Sequence, residues 1–396
     1  MSTEEIKELI EKNRGNIAFL IGNGIHYQYK DNDKTWKDLL NELWHEYVGN
    51  EIDIPEGISL TEFYDVIELN YYKSSSFDYN ELIGKITNNV PQDIKNKNKI
   101  QDIISKLMDC KPFYINNEKT DNLLCFCQAQ EQLANRIKSL INKDFEDSND
   151  VPHECIQYLL DILSNDVKKK IFENKIKKEV AKNFPPKDIY NLRPLIKGFE
   201  CLKAPILTTN FDTYISDSIN AKKFIFPNVN GRSHFTDFYP WNVYYSHKKL
   251  LNPLDGFSIW HINGIVDYPR SIKLGLSDYM GCVERARRLI QGKNLNEYFN
   301  GKNQIFWKGY NTWLHIIFNK NLFIFGLTLD ENEVFLRWLL IQRAKYSEMY
   351  NKPLNGWYVN KGINPGKKFF LKQIGFDIID LNDYSDLYNA LELNSL

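Results

Sequence analysis

Three places in the sequence gather residue types that can do chemistry, each at the end of a short apolar run. The first is FLIGNGIHY, where Gly22-Asn23-Gly24 follows an apolar stretch. Glycines in such a turn let the backbone approach a phosphate closely, and a helix beginning there adds N–H donors and a positive dipole end. A plain strand-to-helix turn accounts for the same pattern. The second is APILTTNFD, where Thr208, Thr209, Asn210 and Asp212 crowd one end of an apolar run. That many polar groups are costly to bury unpaired. An asparagine there can orient water or hydroxyls through its amide without titrating, while Asp212 has the alternative of capping a following helix. The third is IWHINGIVD, with His261 inside an apolar stretch and Asn263-Gly264 just after it. Near neutral pH a histidine can take a proton from a hydroxyl or a water. A packed core histidine is the structural alternative. His26, inside the first glycine turn, is a second such candidate, and a solvent-facing residue at a helix start explains it equally well. His45, His153, His234, His247 and His315 stand in no motif.

The elements that must position these residues follow from hydrophobic patterning. Short, nearly continuous apolar runs occur at 16–24, 204–212, 257–264, 322–328, 354–360 and 376–381. Runs of that length and character predict strands buried on both faces, as in a parallel sheet. Several end in Gly, Asn, Asp or Thr, and ligands of open parallel sheets bind outside the carboxyl ends of the strands. Amphipathic helices are predicted at 36–47, with Trp36, Leu39, Leu40, Leu43 and Tyr47 on one stripe, and at 332–344. Residues 61–200 read as helical and charged. The fold class is therefore α/β, a Rossmann-like parallel sheet in a single domain over 1–396, with a large helical insertion at 61–200. The basic run at 168–182 reads as a solvated helix face rather than a binding patch. The dehydrogenase fingerprint is absent. Its third glycine would fall at Tyr27, and the Trp36 helix occupies the place of its acid-ended strand.

Bulk properties narrow the class. The chain has 396 residues, 43% of them apolar, and a net charge of −1 from 50 basic and 51 acidic side chains. That balance makes no electrostatic case for nucleic acid or a membrane surface. No apolar window is long enough to span a bilayer, and the acidic amphipathic start is not that of a signal peptide. The cysteines at 110, 125, 127, 155, 201 and 282 form no CxxC pair, so no zinc site is expected. Reduced thiols and a cytoplasmic location are expected, with Cys201 in the core beside its strand.

Taken together and in order, the motifs resemble the sirtuin superfamily, and specifically its bacterial defence-associated branch of NAD hydrolases. GNGIH at 22–26 is similar to that family's nucleotide loop, TTNFD at 208–212 to its T-T-N-x-D motif, and HINGIVD at 261–267 to its His-Gly motif. LGLSDYM at 274–280, FIFGLTLDENE at 323–333 and KQIGFDII at 372–379 resemble downstream segments of the branch. The matches span 16–48 and 204–390; no motif covers the segment between. The resemblance implies a sirtuin-type fold with NAD+ as substrate, cleaved at the nicotinamide–ribose bond, in an effector of anti-phage abortive infection. By motif, Gly22, Asn23, Gly24 and Ile25 would cradle the phosphates. Asn210 and His261 would be catalytic, with Thr209 and Asp212 supporting the ribose or its loop. Gly326, Thr328 and Asp330 would face the adenosine half. The family places its histidine directly before the glycine, whereas Asn263 precedes Gly264 here, so either His261 or Asn263 holds the catalytic position. No zinc ribbon is present, which points away from deacylation of protein substrates. A homo-oligomer, with contacts through the insertion, and a controlling partner such as a HerA-type ATPase or an Argonaute-like subunit are further implications. A non-cleaving NAD or ADP-ribose sensor and an NAD-dependent protein deacylase are the alternatives.

Overall fold

The computed structural model describes residues 1–27, 35–50, 52–74, 189–227, 241–268, 271–290 and 304–392. Most of the segment expected as a helical insertion, including the basic run at 168–182, lies outside the described residues. Its described ends are helical: Leu60–Ser74, then a 3-10 turn at Ile189–Leu192 and a helix at Arg193–Cys201. The chain divides into two compact units. The first comprises 1–40, 54–64 and 177–396 and holds the sheet. The second comprises 41–53 and 65–176. Among its described residues, Tyr47 and Tyr71 meet edge to face with ring centroids 5.4 Å apart.

The sheet has eight strands: β1 (Ile17–Ile21), β2 (Ile206–Thr208), β3 (Lys222–Ile225), β4 (Val243–Ser246), β5 (Ile259–His261), β6 (Asn321–Phe325), β7 (Gly356–Asn360) and β8 (Phe376–Asp380). Their order is β3-β4-β5-β2-β1-β6-β7-β8. From β5 to β8 every neighbouring pair is parallel, while β3, β4 and β5 pair antiparallel. The six parallel strands, renumbered in chain order, read 3-2-1-4-5-6. That is the order of a doubly wound sheet, whose winding direction reverses between β1 and β6. The six predicted runs are these six strands. The antiparallel pair was not legible. β3 is short and mostly exposed, and its Lys222 and Lys223 put charge on the sheet edge, where it discourages pairing with another chain.

Alternation along the buried strands feeds two cores. Ala18, Leu20, Leu207, Trp260, Leu322 and Ile324 pack on one face, under the helices Leu276–Ile290, Trp313–Ile317 and Val334–Met349. Tyr244 and Phe226 stack beside Trp260 there. Ile17, Phe19, Ile21, Phe323 and Phe325 pack on the other, against Ile6, Ile10 and Phe199 from the helices Thr3–Lys12 and Arg193–Cys201. Cys201, expected in the core, is instead exposed. It closes a helix whose buried stripe is Leu195, Ile196, Gly198 and Phe199, so the next turn carries it to the solvent side.

The loops after β1 and β6 meet with almost no space between backbones. The Gly24 N–H donates to the Gly326 carbonyl at 2.8 Å, and the Gly22 N–H to that of Phe325 at 3.3 Å. A Cβ on Gly24 would lie 2.5 Å from the Gly326 Cα, and Gly326 itself has φ +63°, in the left-handed region. No side chain fits there without moving backbone. Gly24→Ala is expected to destabilise the fold by at least about 2 kcal/mol. Gly366→Ala is expected to be neutral or stabilising, because its Cβ would meet nothing nearer than 3.7 Å in an ordinary helical conformation. Urea unfolding of both variants checks the contrast. Equal effects would remove the steric account.

Candidate functional site

A cavity of about 780 Å³ opens at the carboxyl ends of the parallel strands. It draws Asn23 and Gly24 from the loop after β1, and Thr209, Asn210 and Asp212 from the loop after β2. Asn263 comes from after β5, and Gly326, Thr328, Asp330 and Glu333 from after β6. Asn360, Lys361, Asp383 and Tyr384 line it from the ends of β7 and β8. It thus straddles the reversal between β1 and β6, where doubly wound sheets bind ligands. Its volume lies within the range of small-molecule and cofactor sites, about 300–1,000 Å³.

Nine of the thirteen residues named from sequence line this cavity, and four stand behind its wall: Gly22, Ile25, His261 and Gly264. The first turn explains two of these. Ile25 buries its side chain in the core, and its N–H is taken up by the Gly22 carbonyl at 3.3 Å. Together with the Gly24 bond to Gly326, this takes up two of the N–H groups that a phosphate cradle would use. Gly264 (φ +104°) instead lets the chain pass Ser271, whose carbonyl oxygen would lie 2.3 Å from a Cβ.

Behind Asn23 and Gly24 the first turn meets the TTNFD loop through one ring. His26 Nε2 lies 3.0 Å from Asp212 Oδ2 and 3.0 Å from the Asn210 side-chain amide, with all three residues buried. Asp212 Oδ1 accepts the Tyr214 N–H at 2.9 Å, tying down the turn before the helix Tyr214–Ser218. Burial alone would raise the Asp212 carboxyl. The charge and hydrogen bond of His26, with the Tyr214 N–H, outweigh it and hold the group below its ordinary value. An ionised Asp212 needs the proton on His26 Nε2. The Asn210 Nδ2 also donates to the Gly22 carbonyl at 3.5 Å, so this amide ties the TTNFD loop to the first turn.

His261 is held by the same loop. Its Nδ1 donates to the Asn210 backbone carbonyl at 2.9 Å. Burial keeps its pKa below the ordinary histidine value, against the opposing pull of that hydrogen bond. The ring is therefore neutral, with its lone pair on Nε2, which is shielded and without a partner. This is the tautomer of a base, oriented from behind by Asn210. Asn263 is the member of the pair that faces the cavity. The strand ends at His261, so the alternation that would aim both side chains the same way ends there too. Asn263 Nδ2 donates to the Tyr279 hydroxyl at 3.4 Å, and its Oδ1, buried, has no partner.

Three lining residues were given no role from the sequence, although Tyr279 and Glu333 lie within the segments LGLSDYM and FIFGLTLDENE. Lys273 and Tyr279 are buried and reach the cavity through the chain that follows Gly264 and the helix Leu276–Ile290. Glu333 reads as an ordinary helix-start acid before Val334, yet it makes no capping bond. Its Oε2 is shielded and unpartnered. Burial first, and the nearby Asp330 second, push its carboxyl up to about 7. Burial and then Glu333 raise the Tyr279 phenol well above its ordinary value.

Among the described residues, no three His, Cys, Asp or Glu side chains come together to hold a metal ion, and no helix is long and apolar enough to cross a membrane. No protein-family model matches the chain, and no curated protein is detectably similar to it. The functional reading rests on the residues themselves.

Glu333 makes a prediction independent of any ligand. A carboxyl that titrates near 7 when folded and near 4.5 when unfolded favours the folded state fully below pH 4.5, and that contribution is lost as pH rises through 7. Glu333→Gln is expected to be more stable than the wild type at pH 8 by roughly 1–3 kcal/mol, with the difference vanishing near pH 4.5. Urea unfolding at the two pH values measures it. A variant no more stable at pH 8 would show that the carboxylate is not held unpaired.

Proposed function

We propose that this chain is a sirtuin-like NAD+ glycohydrolase, cleaving the nicotinamide–ribose bond to nicotinamide and ADP-ribose. The observation that carries the reading is the convergence of Asn23, Asn210, Asp212 and Asn263 on one cavity at the reversal point of a 3-2-1-4-5-6 sheet. Those residues come from the three motifs that resemble the family's. In this reaction water adds to the anomeric carbon, the C–N bond breaks, its electron pair stays on the nicotinamide nitrogen, and one proton is released. The transition state is oxocarbenium-like, as in glycoside hydrolysis, and the leaving group departs neutral. The protein's task is to hold the sugar, admit one water and accept one proton.

Asn210 suits the first two tasks: its amide, held by His26, can orient water or ribose hydroxyls. Asp212 keeps His26 in place. His261, neutral with a bare Nε2, suits the third. Gly326, Thr328 and Asp330 take the adenosine half by family resemblance. The same resemblance supports the wider role: a cytoplasmic anti-phage effector acting by abortive infection, a homo-oligomer, and control by a HerA-type ATPase or an Argonaute-like partner.

A second reading, a sensor that binds NAD+ or ADP-ribose without cleaving it, draws on one observation. His261 stands behind Asn210 instead of on the cavity wall. Mass-spectrometric detection of nicotinamide released from NAD+ by the purified chain separates the two. Release is expected, with Asn210→Ala and His261→Ala each slowing it about 10²- to 10⁴-fold. Full activity in both variants would overturn the site assignment. Tight NAD+ binding without any release would establish the sensor.

A further inference from the structure

The loop after β6 is pinned through its carbonyls. The Tyr358 hydroxyl shares its one hydrogen between the carbonyls of Leu327 and Thr328, at 2.8 and 2.9 Å. From the helix Pro365–Gln373, the Lys367 ammonium donates to the same Thr328 carbonyl at 2.5 Å. Burial first, and then Tyr384, Asp330 and Glu333, push the Tyr358 phenol well up, so its hydroxyl stays a donor at any working pH. Tyr358 is wholly buried on β7, in the core that also holds Leu322 and Ile324. It does not line the cavity, whereas Leu327 and Thr328 do.

In a trans peptide the carbonyl and the N–H that follows it point in opposite directions. Two carbonyls turned toward Tyr358 therefore turn the N–H groups of Thr328 and Leu329 to the other side of the loop. Among the described residues, neither N–H has an acceptor. Leu329 shows that this arrangement is imposed on the chain. It has φ +48°, a left-handed conformation that a leucine rarely adopts, and its side chain is fully buried. Such a backbone persists only where its surroundings over-determine it. Successive N–H groups beside a left-handed residue form a concave donor surface that takes oxygen acceptors.

We infer that Tyr358 is a positioning residue for ligand binding: its hydroxyl fixes two peptide planes so that the N–H groups of Thr328 and Leu329 meet oxygen atoms of the AMP half of the substrate. Tyr358 itself touches no substrate. The inference rests on the reading of the cavity as an NAD+ site. A tyrosine that only satisfied two carbonyls would add to stability and leave affinity alone. A positioning tyrosine sets affinity for the half of the ligand that reaches this loop and spares the bond that breaks beside Asn210.

The test is Tyr358→Phe, which removes the hydroxyl and keeps the ring in the core. The full chain is titrated calorimetrically with ADP-ribose and with AMP, and NAD+ cleavage is followed at steady state. Both ligands are expected to bind the variant about tenfold more weakly than wild type. The KM for NAD+ is expected to rise by a similar factor with kcat within about twofold, the mark of binding lost equally in ground and transition states. Lys367→Met, at a partly buried position outside the core, is expected to weaken AMP in the same direction by about threefold. It decides the matter if Tyr358→Phe does not fold. In a chain that binds NAD+ without cleaving it, the titrations decide alone. Wild-type affinity for ADP-ribose and AMP in the folded variants would overturn the positioning role and leave the NAD+ reading standing. So would a fall in kcat at unchanged KM, which would place the effect at the reacting end. Failure of wild type to bind ADP-ribose, AMP or NAD+ would overturn both.

Discussion

The close backbone approach between the loops after β1 and β6 is the constraint on which the site depends. At the reversal point of a doubly wound sheet, crossovers leave in opposite directions and open a crevice. Here the two loops are held together at its floor by the Gly24–Gly326 hydrogen bond, with no room for a side chain. That contact sets the height of the cavity floor, aims Asn23 and Gly24 into it, and starts the short helix that carries His26. The glycines of the first turn are thus explained by packing of protein on protein, whatever ligand lies above them.

His26 then joins segments far apart in sequence. Its contacts to Asn210 and Asp212 span 184 and 186 residues. A buried, ionised aspartate is tolerable only when paired and hydrogen-bonded, and His26 together with the Tyr214 N–H meets that need. The arrangement is nested. Asp212 orders His26, His26 orders the Asn210 side chain, and the Asn210 backbone orders His261. Each group that could touch a substrate is fixed by one that need not, which is how a site reaches geometric precision without rigid cofactors.

The same cavity tolerates groups that a purely structural core would exclude. His261 Nε2, Asn263 Oδ1 and Glu333 Oε2 all lie shielded and unpartnered within one region. Among the described residues of the unit that holds the sheet, no other buried side-chain nitrogen or oxygen lacks a hydrogen-bond partner. Arg343, buried without a carboxylate, donates to the carbonyls of Ile317, Lys320 and Asn355 and ties the elements at the opposite, amino-terminal end of the sheet. Unmet hydrogen-bonding capacity concentrated at one end of a sheet, with full satisfaction at the other, is the pattern of a binding site supported by a stable scaffold.

Patterning made much of this legible. The six apolar runs that became parallel strands are continuous enough that only burial on both faces suits them, and their polar ends marked the cavity in advance. Asn210, Asp212 and Asn263 were readable because polar clusters at the ends of such strands are expensive unless used. The edge strand β3 was not, since a short, exposed, charged strand has no signature distinct from a loop, and four-residue β4, though buried, is too short for its pattern to stand out. Nor was Glu333, whose local context is that of any helix-start acid. By itself the sequence determined the apolar runs that become the parallel strands and which of their ends are polar, because hydrophobicity and turn chemistry are local. Only the tertiary structure decided that His26 bridges Asn210 and Asp212, that Asn263 rather than His261 meets the cavity, and that Glu333 stands unpaired beside Tyr279. Those outcomes depend on distances between segments that the order of strands in the sheet brings together.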